Sequence, residues 1–203
     1  MESGKCTIDR MNGEARGMNY FNDMWRVLKI DETIYKDIHT RGLTIRYAMI
    51  NVFILGVLYG LFSLYFADRE LFRDFPDPSS VFVTEAIIVG TGILVAFLVH
   101  LGAAFLFWTF CRAMRGEIRF IPTYFILGVA IAPLWLAVPG LTALHAGWRT
   151  IPVSLYVGFT GLYAFASLFV AAKSVFGYSY KTMFIAMAMM LVFTIGFLGL
   201  WLG

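Results

Sequence analysis

Five stretches of this chain, 47–67, 86–111, 120–140, 151–172 and 182–202, run for about 20 residues or more without a single Asp, Glu, Lys or Arg. Helices of that length and character fit a bilayer and are too long for the core of a small soluble domain. The composition agrees, with 60% apolar and 14% charged residues in 203, where a soluble domain carries roughly 45–50% and about 25%. A water-exposed surface cannot absorb the excess. The sequence therefore predicts an all-α, polytopic membrane protein. Its expected parts are a polar tail over 1–17, an amphipathic interfacial segment over 18–46 and a five-helix transmembrane bundle over 47–203.

Lys and Arg in the connections set the orientation. The amino-terminal segment and the two connections that share its side hold thirteen, against three on the opposite side. The expected topology has the amino terminus in the cytoplasm and the carboxyl terminus outside, in a bacterial inner membrane. Residues 1–17 lack the apolar run and cleavage site of a signal peptide.

Within 18–46, Phe21, Met24, Trp25 and Leu28 recur at helical spacing, followed by Asp31 as a helix cap and by Ile34, Tyr35 and Ile38. Two readings stand side by side: short helices lying along the interface with Trp25 and Lys29 toward lipid, or apolar stripes packed under the bundle. Residues 68–85 read as an acidic outer connection, with Pro76 and Pro78 keeping Asp77 out of helix.

Chemistry is thinly supplied. All thirteen carboxylates precede Ile118, so no acid/base pair and no carboxylate cation site can form beyond that point. Ser154, Ser167, Ser174 and Ser179 have no base and acid beside them, as a nucleophile requires. Cys6 and Cys111 make no metal spacing or disulfide pattern, and His39 and His145 are isolated. No catalytic residue, metal, cofactor or nucleic-acid partner is expected. His100 is the one ionisable side chain well inside a span, either a proton or ligand contact or a satisfied structural histidine. Pro133 in IAPLWLAVPG should kink the third span and leave a carbonyl free inside the bundle.

Gly56 and Gly60 form a GxxxG that serves either internal packing or a homodimer. Arg112, Arg115 and Arg119 in the connection after span two are an orientation signal and a candidate contact for anionic headgroups or an acidic partner. Spans two–three and four–five share a plan of apolar helix, basic glycine turn and aromatic residues.

Four segments in order, VLKIDETIYKDI, RAMRGEIRF, GVAIAPLWLAVPG and VAAKSVFGYSYKTMFIAMAM, resemble the Yip domain family, five-span membrane proteins named for eukaryotic members that interact with Rab-type GTPases. The resemblance is closest to the bacterial branch and runs from about Trp25 to the end. Where the family often pairs glycines after span two, only Gly116 stands here. The resemblance implies no catalytic residues. It implies a membrane-organising or partner-scaffolding protein working through its cytoplasmic face, with the bilayer and a membrane-protein partner or second copy as its company. The competing expectation is a small transporter or channel subunit using His100 and the third span.

Overall fold

The computed structural model of the chain describes residues 19–66, 78–114 and 117–202. The tail over 1–17, most of the acidic outer connection with Asp77, and Arg115 and Gly116 lie outside the described residues. Every element is helical, with no strand among the described residues. The order is α1 (Tyr20–Leu28), α2 (Glu32–Thr40), α3 (Thr44–Phe66), α4 (Pro78–Ala113), α5 (Phe120–Ala130), a 3-10 turn (Ala132–Leu136), α6 (Val138–His145), α7 (Ile151–Phe176) and α8 (Tyr180–Leu202). Three of these, α3, α4 and α7, are long and apolar enough to cross a membrane.

Their outer surfaces stay apolar. Ile87, Leu94 and Leu98 of α4 and Leu155, Phe159 and Leu162 of α7 are each more than half exposed. Such a belt is tolerable only against lipid. This is the architecture of an integral membrane protein.

The helix ends follow local chemistry. Pro78 opens α4 at a first-turn position, where a missing N–H costs nothing. Residues 78–85, expected in the outer connection, are therefore helical. Gly177 ends α7 in the left-handed conformation. The GxxxG on α3 faces α4: a Cβ on Gly56 would lie 2.5 Å from Ile93 Cα, and one on Gly60 2.6 Å from Val89 Cα. Gly92 of α4 is equally close to Gly56 and Gly60. The motif is thus spent on packing within one chain, where backbone approach gives dispersion its grip.

The amino-terminal segment folds as a hairpin of α1 and α2 that is part of the core. Val27, Ile34 and Ile38 are fully buried and Met24 and Tyr35 nearly so, against Ala48, Ile126, Val129 and Ala130. At about 2 kcal/mol for each such side chain, roughly 10 kcal/mol holds the hairpin in place. Of the two placements open from sequence, the stripe carrying Met24 packs against the bundle. Phe21 and Trp25 turn outward, 82% and 58% exposed, so the single apolar stripe read from spacing divides between two faces.

Within the hairpin, Arg26 bonds Asp31 at 2.8 Å, Thr33 at 2.8 Å and Asp37 at 3.2 Å. Asp31 caps α2 by accepting from the Thr33 N–H at 2.9 Å. The turn between the helices places Ile30 at φ 55°, the position that closes α1 with bonds from Ile30 N to Val27 O and from Asp31 N to Arg26 O. Glycine normally sits there, and a β-branched residue holds it under strain. The matching position after α2 is Gly42 at φ 69°.

Candidate functional site

The third apolar segment departs most from expectation. Instead of one kinked helix, α5 stops at Ala130, a full 3-10 turn intervenes, and α6 resumes at Val138. Pro133 lies in the first turn of the 3-10 helix and Pro139 in the first turn of α6, both positions where proline is tolerated. The cost of the break falls on the last carbonyls of α5. Pro133 has no N–H to offer Val129 O, and Leu134 N bonds Ile131 O at 2.8 Å instead of Ala130 O.

Side chains of α3 and α7 take up these carbonyls. The Asn51 amide, fully buried on α3, donates to Gly128 O at 3.2 Å and to Val129 O at 3.0 Å. Ser167, fully buried on α7, donates to Ala130 O at 3.2 Å. Farther along, Trp135 Nε1 donates to Asn51 O at 3.2 Å, and the Tyr156 hydroxyl donates to Leu136 O. The free carbonyl expected from Pro133 exists at Val129 and is satisfied, as a buried acceptor in lipid must be.

The hairpin reaches the same two caps. Tyr20 of α1 donates to Asn51 Oδ1 at 2.5 Å. Tyr35 of α2 lies 2.8 Å from Ser167 Oγ; because the one serine proton goes to Ala130 O, the tyrosine is the donor. Burial pushes the Tyr35 phenol up to about 12, and burial with the neighbouring Tyr47 raises Tyr20 to about 12. Both remain neutral donors at ordinary pH. A third link joins the nearly buried Asp23 of α1 to the Tyr47 hydroxyl at 2.9 Å and to Arg41 Nη2 at 2.8 Å.

His100 is 3% exposed. Its Nε2 donates to Tyr124 O at 3.0 Å, and its ring packs on Tyr124 with centroids 4.6 Å apart. It therefore meets the third segment about two turns before the break, fixed by a backbone carbonyl as a structural histidine is. Gly128 makes this approach possible, because a Cβ there would lie 2.7 Å from Ala48 Cβ and 3.2 Å from His100 Nε2. The structure thus brings His100 and Pro133 to the same segment but not into one polar site.

The surface candidates lie elsewhere. Trp25 and Lys29 sit together on the outer face of α1, the ammonium 5.3 Å from the ring centroid. Arg112, at the end of α4, and Arg119, just before α5, are exposed. Among the described residues no group of His, Cys, Asp or Glu is arranged to hold a metal ion.

Asn51, Tyr20 and Tyr35 carry the polar core, yet sequence spacing does not mark them as polar contacts, and Ser167 reads from sequence only as a nucleophile without company. The usable signal was Asn51 itself, an amide inside an otherwise apolar span. Spans two–three and four–five, expected to be repeats, differ: a broken segment follows α4 and a continuous α8 follows α7. Comparison with protein families, curated proteins and solved structures finds no match for the chain.

Proposed function

We propose that this is a non-enzymatic membrane-organising protein that captures a partner or lipid headgroups at its cytoplasmic face, as the resemblance to the Yip domain family implies. The observation that carries the reading is the outward row of Phe21, Trp25 and Lys29 on a hairpin locked into the bundle. A hairpin held only by interfacial forces would need no buried inner face, whereas a rigid platform presenting aromatics and a cation suits capture. In this reading Arg112, Arg115 and Arg119 add basic residues on the same side of the membrane. In this reading α5 through α6 and α8 also cross the bilayer, giving five spans with the amino terminus inside a bacterial inner membrane.

The test is affinity capture of the tagged chain from its native membrane in mild detergent, read by mass spectrometry. Phe21→Ser/Trp25→Ser should lose the captured partner at least tenfold while the protein stays inserted. Undiminished capture by that variant sinks the reading. Deleting residues 18–40 is the wrong control, because it would strip cover from Ile126 and Val129. The transporter reading has less support, since His100 is committed to a backbone carbonyl and the Gly128, Val129, Ala130, Ile131 and Leu136 carbonyls at the break already have partners.

A further inference from the structure

We infer that the amino-terminal hairpin and the break in the third apolar segment form one coupled conformational unit, so that a shift of either re-partners the other. Three features carry this. Each side chain that caps the last carbonyls of α5 is itself bonded by a tyrosine of the hairpin: Tyr20 to Asn51, and Tyr35 to Ser167. The caps have spent their protons. Asn51 spends both amide protons on Gly128 and Val129 and its Oδ1 on Tyr20, and Ser167 spends its one proton on Ala130. Moving either tyrosine therefore leaves a cap oxygen without its donor, and moving the break leaves the cap without its carbonyl. The apolar contacts run the same way, since Met24, Val27 and Ile34 share one cluster with Val129, Ala130 and Ala132.

The hairpin does not leave the bundle in this scheme, because its buried face holds it. What changes is the pairing at two hydroxyls, a discrete rearrangement of the kind that carries coupling between sites. Asp31 and Arg26 keep the hairpin internally rigid, so that a load on its outer face moves both tyrosines together. Resting on the reading of Phe21 and Trp25 as the capture surface, this makes the break the element that responds to capture.

Hydrogen exchange with mass spectrometry on the full chain in lipid nanodiscs tests the coupling without any partner. Tyr35→Phe and Tyr20→Phe each keep the ring and remove one hydroxyl. Each should raise exchange about tenfold in residues 130–137 as well as in 20–40, as expected for losing one buried hydrogen bond, while α4 keeps its protection. Pro133→Ala restores an N–H for Val129 O. It should lower exchange across the break and raise it in the hairpin, since coupling is reciprocal. Exchange that rises only in 20–40 for the tyrosine variants, or a hairpin indifferent to Pro133→Ala, overturns the inference. Either result leaves the capture reading standing, and undiminished capture by Phe21→Ser/Trp25→Ser, which sinks that reading, leaves the coupling standing.

Discussion

Replacing Asn51 by Leu is the most informative single change in the bundle. The two side chains share a branched outline with the same number of heavy atoms, although leucine is the larger, so the effect reports the lost hydrogen bonds together with some overpacking. The change takes a partner from two buried carbonyls, Gly128 O and Val129 O, and from the half-buried Tyr20 hydroxyl. An orphaned buried group costs about 1–3 kcal/mol in soluble proteins, while hydrogen bonds between membrane helices average nearer ~0.6 kcal/mol. Three groups together therefore cost about 2–4 kcal/mol, offset only slightly by the added apolar surface. For a chain of this size that corresponds to a fall of roughly 5–12 °C in the unfolding midpoint. The assay is thermal or SDS-induced unfolding in detergent followed by circular dichroism. Thr109→Val is the matched control, because Thr109 is exposed and donates to the Phe105 carbonyl of its own helix at 2.8 Å. If Asn51→Leu melts with Thr109→Val, the carbonyls of the break are not held as described and the reasoning fails.

Gly60→Ala must push α3 and α4 apart, since its Cβ would stand 2.6 Å from Val89 Cα; the expected loss is about 1–3 kcal/mol. Gly158→Ala on α7 meets nothing within 4 Å and should change stability by less than about 0.5 kcal/mol; the same unfolding assay compares the two. The Thr33 hydroxyl and N–H, with Arg26 beyond them, hold the Asp31 carboxyl below its ordinary value. Its contribution is therefore complete above that ordinary value, near 3.9, and fades as pH falls through the lower folded value. Hairpin protection, followed by hydrogen exchange across an acid series, should fall below about pH 4 and should fall less in Asp31→Asn.

The sequence disclosed the membrane class and the positions of the apolar segments because charge exclusion over about 20 residues is a one-dimensional property. It located the helix cap at Asp31 and the trouble at Pro133 for the same reason, since both depend on chemistry within a turn. What it could not show was which face of α1 turns inward. Met24 and Trp25 are adjacent in the chain and part company because the 3-10 turn and α2 offer a surface that Met24 and Val27 fit. Nor could spacing reveal that Asn51, Ser167 and two tyrosines would meet, since they are up to 147 positions apart and their pairing exists only after the third segment breaks. Pro133 predicted a lost hydrogen bond; the extent of the break, a whole 3-10 turn, follows from partners supplied by α3 and α7.

The central claim is that α1 presents Phe21, Trp25 and Lys29 to something outside the chain while its other face is locked into the bundle. A photo-crosslinking amino acid placed at position 25, with a second variant carrying it at position 24, tests this in the native membrane. Position 25 should link to a partner protein or to phospholipid, and position 24 only to residues of the same chain near Val129 and Ala130. Crosslinks from position 25 confined to its own chain, or partner crosslinks from position 24, would contradict the account.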